Sequence, residues 1–282
     1  MNGFFVLFLI VAAFCHLISA FGAATNLLKK NQRTPFFGKG LSIGLALAGF
    51  ALQSLALLLV MLALVPWDNS CFLYLTAWVF MLVYLTMRGR AQADFLNLVC
   101  AAPAGLLLPI GLAMREEGFT RLAGDAWFSG PLFTIHVAAM FAGLACMVVG
   151  CGAGLAFLYL ERVIKQKTPL AEMNDDFPSL TRLDRLGRLT VLWGFPLFSL
   201  GLIAGFAWAS KAWGGFLSWD IKEIFSVLVW FLYATLFYIR LRGIKGRRPA
   251  RLAIWIFGLS MFSLLVVNLA LPSHHSFMPW GK

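Results

Sequence analysis

Four histidines and one aromatic run are the residues best suited to chemistry in this 282-residue chain. His136 falls about one turn inside the end of an apolar segment, His274 and His275 follow the last such segment, and His16 lies about halfway along the first. In hydrocarbon an imidazole is costly unless something partners it, so each is either a hydrogen-bonded structural group or a ligand. The run AWGGFLSWDIKE, from Ala212 to Glu223, joins two apolar segments and is too aromatic for an ordinary wet loop. Trp213, Phe216 and Trp219 recur every three residues, which on a helical turn sets three flat rings on nearly one face. Interfacial belts also recruit tryptophan, and Trp67, Trp127, Trp208, Trp213, Trp219 and Trp280 all fall at or near one interface. A flat, apolar, metal-centred ligand would account for both features, with the rings stacked on its face and two histidines from neighbouring helices gripping its iron. Haem fits that description. Its propionates need cations, and Lys211, Lys222, Arg115 and Arg121 lie on the same side.

The elements that must position these residues are membrane helices. With 61% hydrophobic and 12% charged residues, the chain has more apolar surface than one water-exposed globule could hide. A helix needs roughly 20 apolar residues to cross about 30 Å of hydrocarbon. Eight stretches qualify: Gly3–Leu27, Lys39–Val65, Cys71–Met87, Phe95–Met114, Pro131–Leu160, Thr190–Ser210, Ile221–Ile239 and Arg251–Leu271. They are continuous rather than alternating, which predicts an all-α polytopic bundle and excludes a membrane β-barrel. The whole of 1–282 reads as a single integral membrane domain.

The net charge of +11 is one-sided, because 18 of the 23 basic residues fall in the connections after helices one, three, five and seven. Cytoplasmic loops carry such an excess, so both termini are expected outside, and membrane topology rather than nucleic acid explains the charge. No positive charge precedes Phe4, so the first segment is expected to be a retained helix and not a cleaved signal. The five cysteines form no CxxC and no metal-ligand spacing, and they read as buried hydrophobes. The one long cytoplasmic connection, 161–189, is expected to carry a short amphipathic helix on the membrane surface around Leu180, Leu183 and Leu186. Gly150, Gly152 and Gly154 mimic a dinucleotide fingerprint without the strand it needs. Gly40 with Gly44, and Gly201 with Gly205, have the four-residue spacing that lets membrane helices approach closely.

Taken together, LDRLGRL from Leu183, GFPLFSLGLIAGFAWASKAWGGFLSWDIKE from Gly194, Gly246–Arg248 and VNLALPSHHSF resemble the cytochrome c assembly proteins of the CcsA, ResC and HemX type. Their mark is a tryptophan-rich WWD segment between two external histidines, and a family-like core of about 131–277 follows that order. The resemblance implies non-covalent haem b, with His136 and His275 as axial ligands and Trp213, Gly214, Trp219 and Asp220 as the WWD segment. Phe216 and His274 are weaker members, and His16 is a weaker inner site. Leu217 stands where synthetase members usually carry another tryptophan, and Tyr238 where members that pass haem across the membrane carry a histidine.

What the resemblance implies is a haem-handling protein of c-type cytochrome biogenesis in a bacterial cytoplasmic membrane, its site on the extracytoplasmic side. As a subunit of a haem lyase it would need a CcsB-like membrane partner and an apocytochrome c. The alternatives are a HemX-like accessory protein of tetrapyrrole synthesis and a secondary transporter. The latter lacks a visible inverted repeat.

Overall fold

A computed structural model describes residues 3–28, 38–65, 68, 70–88, 93–115, 130–166, 177–213 and 221–267. These contain eight α-helices: α1 (Gly3–Leu28), α2 (Lys39–Met61), α3 (Ser70–Met87), α4 (Ala93–Ala113), α5 (Pro131–Lys165), α6 (Leu180–Trp213), α7 (Ile221–Leu241) and α8 (Arg247–Phe262). A π-helical turn, Ser263–Val267, continues α8. All eight have a stretch long and apolar enough to cross a membrane, so the chain is a multi-pass membrane protein. Large side chains such as Phe14, Trp193 and Trp255 stand exposed along these spans, as expected where lipid replaces water as the solvent.

The chain divides into two compact units, 1–123 with 159–182, and 124–158 with 183–282. In the first unit α1 to α4 are held by polar contacts as well as by apolar packing. Ser19 Oγ donates to the Ser42 carbonyl at 2.7 Å, and Ser42 Oγ donates back to the Ser19 carbonyl at 3.0 Å. Asn97 Nδ2 reaches both hydroxyls at 2.8 and 2.9 Å, so α1, α2 and α4 share one hydrogen-bonded node. Asp68, ahead of α3, accepts hydrogen bonds from Ser70 Oγ and Cys71 Sγ and faces Arg115 Nε at 3.6 Å. The Arg115 guanidinium also lies 4.5 Å from the centre of the Phe5 ring.

The second unit packs the first part of α5 against α6, α7 and α8 around Met147, Val191, Phe198, Tyr233, Leu236 and Ile256. Glycines set how closely these helices meet. A Cβ at Gly143 would lie 3.2 Å from the Phe198 backbone, one at Gly154 would lie 2.8 Å from the Ala250 carbonyl, and one at Gly194 would collide with Tyr233 and Cys146. Phe195 fills the α6–α7 contact, with its ring centre 4.8 Å from Phe237 and 5.8 Å from Trp230. Trp230 Nε1 donates to Ser199 Oγ at 2.9 Å.

Several boundaries differ from the sequence expectation, with α2 ending at Met61 rather than Val65 and α5 at Lys165 rather than Leu160, and two of the differences have a visible cause. The stretch expected as a separate surface helix is the first part of α6, which runs unbroken from Leu180 to Trp213. Leu183 and Asp184 are buried there, and Asp184 Oδ1 accepts from Arg240 Nη1 at 2.8 Å and from the Gly246 N–H at 3.3 Å. Packing against the α7–α8 corner therefore carries the segment into α6. The same corner starts α8 at Arg247, four residues before the expected Arg251, with Gly246 at φ 95° as the turn residue.

Candidate haem site at the α5–α6 seam

Of the residues singled out in the sequence, His136 is the one whose surroundings are most fully described. Pro131 opens α5, its fixed φ suiting the first helical position, and His136 follows on the second turn. The ring is partly buried against α6, with Nδ1 2.7 Å from the Gly201 carbonyl oxygen. A carbonyl oxygen only accepts, so Nδ1 carries the proton and Nε2 keeps its lone pair. A metal-binding histidine is commonly oriented in this way, with one nitrogen donating to a carbonyl and the other ligating. The approach depends on Gly205, because a Cβ there would fall 2.5 Å from Nδ1 and 2.7 Å from Cε1. Phe133, nearly one turn before His136, packs on Trp208 of α6 with ring centres 5.1 Å apart. The backbone of α6 then runs on to Trp213, the first residue of the aromatic segment.

Gly214, Phe216, Trp219, Asp220, His274 and His275 lie outside the described residues, as do the side chain of Trp213 and the expected three-residue ring spacing. Of the cations considered for propionates, Lys211 is exposed near the end of α6, while Arg115 in the first unit is held by Asp68 and Phe5. Arg121 lies outside the described residues.

His16 is in the first unit and fully buried. Gln53 Nε2 donates to the Tyr74 carbonyl at 2.9 Å, which leaves Gln53 Oε1 to accept from His16 Nε2 at 3.1 Å. Its Nδ1 edge packs on Gly49, where a Cβ would lie 2.8 Å away. That is the arrangement of an interhelical hydrogen bond sealed by a glycine.

Among the described residues no three His, Cys, Asp or Glu side chains form a metal-ion site. Haem brings four ring nitrogens of its own and asks the protein for only one or two axial donors. A histidine whose Nε2 keeps its lone pair, beside paired aromatic rings, fits that demand. Sequence reading missed Gly205 as part of the site, taking Gly201 and Gly205 only as a packing pair. The signal was their position in helix six, before the aromatic segment.

A sequence profile described as cytochrome C assembly protein matches residues 66–275. The chain belongs to the cytochrome c assembly protein family. The match begins well before the boundary near 131 read from motifs, and it takes in His136, the aromatic segment and both His274 and His275. This cytochrome c assembly protein is similar to cytochrome c biogenesis protein CcsA of Mesostigma viride, 28% identical over 228 residues, 71% of this chain and 72% of that one. It is 30% identical over 239 residues to the CcsA of Chlamydomonas reinhardtii, 78% of this chain and 65% of the other, so the match spans just under two thirds of that relative's length. With the CcsA of Gloeobacter violaceus the identity is 43% over 96 residues, 34% of this chain and 28% of the other.

Proposed function

We propose that this cytochrome c assembly protein binds haem b non-covalently through His136 and His275 and presents it for attachment to an apocytochrome c. The observation that carries the reading is the His136 ring, whose Nδ1 proton is committed to the Gly201 carbonyl at 2.7 Å, so that Nε2 keeps its lone pair. The Gly201 carbonyl holds the proton and with it the tautomer, and partial burial limits competition from water for Nε2. Trp213, Gly214, Trp219 and Asp220 would form the platform for the flat ring, with Phe216 and His274 at its margin. When bound, haem supplies the iron and the vinyl groups that the two thiols of a CxxCH segment add across. The fold of this chain would contribute orientation and exclusion of water rather than a nucleophile.

Most basic residues fall in the connections at the opposite membrane end, which supports a site on the extracytoplasmic face. Attachment would need a partner that brings the apocytochrome, and a CcsB-like membrane subunit is the expected one. Tyr238 supports an outer site without a matching inner histidine. It is exposed on α7, with the Arg242 guanidinium 5.5 Å from its ring centre. Leu217, where synthetase members usually carry another tryptophan, favours one second reading, a HemX-like accessory protein that binds haem without attaching it.

The test is the reduced-minus-oxidised spectrum of the purified protein beside His136→Ala and His275→Ala. Either change is expected to weaken the Soret band, and added imidazole should restore it. A wild-type protein that takes up no haem when haem is supplied would overturn the proposal. Cytochrome c maturation in a strain lacking its own system then separates the attaching from the accessory role.

A further inference from the structure

Resting on that reading, we infer that Gly205 and the Gly201 carbonyl are positioning groups for the iron ligand, and that they set how strongly His136 donates to iron. Two contacts on one turn of α6 carry the inference. The Gly201 oxygen takes the Nδ1 proton at 2.7 Å, and Gly205, four residues on, is where the Nδ1–Cε1 edge of the ring lies against bare helix backbone. A methyl at Gly205 would occupy the space of that edge, 2.5 Å from Nδ1 and 2.7 Å from Cε1. His136 could not then keep both its hydrogen bond and its distance from α6. Gly201 has a different neighbour on its side-chain side, since a Cβ there would meet Met140, 2.8 Å from its Cγ and 2.9 Å from its backbone nitrogen. The two glycines therefore act separately, Gly205 making room for the ring and Gly201 offering its carbonyl.

An imidazole whose distal N–H is engaged by an acceptor is a stronger base at its other nitrogen, and it favours ferric over ferrous iron. Loss of the contact is therefore expected to raise the haem reduction potential and to weaken haem binding by about 10–100-fold, the usual range for groups that orient a metal ligand.

The experiment compares wild type, Gly205→Ala and, as a packing control elsewhere on the same seam, Gly194→Ala by haem titration and by spectroelectrochemical potential. Gly205→Ala should raise the potential and weaken binding, and it should do so far less in a His136→Ala background. Gly194→Ala, eleven residues before Gly205 on α6, presses on Cys146 and Tyr233 and not on His136, and should leave the potential nearer to wild type. Equal shifts in both variants would mean a general packing defect and would overturn the inference, as would no shift in Gly205→Ala. Should Gly205→Ala fail to accumulate, rescue of His136→Ala by added azoles decides instead. Imidazole and 4-methylimidazole can donate to the Gly201 carbonyl, whereas 1-methylimidazole cannot, and it should rescue at least ten-fold more weakly. Equal rescue by all three would overturn the inference while leaving His136 as a ligand. If His136→Ala loses no haem, the functional reading itself is at fault.

Discussion

Charge inside a membrane protein is tolerated one residue at a time, and Arg240 shows on what terms. Its guanidinium is buried near the end of α7 and meets Asp184 at 2.8 Å, and the same carboxylate oxygen also accepts the Gly246 N–H. Removing one partner strands the other without water, which costs far more than the pair itself contributes. Arg240→Met is therefore expected to destabilise the folded protein by about 3–5 kcal/mol, seen as a fall in thermal midpoint in detergent. Arg240→Met with Asp184→Leu should recover most of that loss, and an equal loss in the double variant would contradict the account. Asp184 was visible in the sequence only as one polar member of LDRLGRL. Its partner lies 56 residues away, and nothing local marks it. His136 was legible because a histidine near a helix end is rare enough to be noticed, whereas Gly205 was hidden because a glycine gives no sign of what occupies the space it leaves.

Helices α5 and α6 are held together by what is missing from them. Gly143 admits the Phe198 backbone, and Gly194 admits the Tyr233 hydroxyl and Cys146. Gly194→Ala should force α6 off its neighbours and lower stability by about 1–3 kcal/mol, the usual cost of overpacking. Gly258→Ala in α8 is the matching control, since no atom lies within 4 Å of its added methyl. It should be neutral or slightly stabilising through better helix propensity. Thermal midpoints moving the same way in both would refute this view of the seam. Apolar run length gave the eight spans nearly correctly, because each has to match the thickness of a bilayer. It missed the first ten residues of α6, where helix is dictated by a buried ion pair and the adjoining corner and not by hydrophobicity.

At the scale of the whole molecule, the distribution of basic residues predicts that the connections after α1, α3, α5 and α7 face the cytoplasm. Phosphatase fusions between α2 and α3, α4 and α5, and α6 and α7 should be active. Fusions after α1, α3, α5 and α7 should be silent, and the reverse pattern would move the proposed haem site to the cytoplasmic face. The five cysteines acquire a meaning in this setting that their spacing did not give them. All are unpaired, all sit within helices, and Cys71, Cys100 and Cys151 are buried, where a thiol is inert. A protein that holds out reactive vinyl groups for another polypeptide's thiols is at risk of alkylating itself. Under the proposed function, sulfur held within helices would leave the incoming substrate as the nucleophile with access to the cargo.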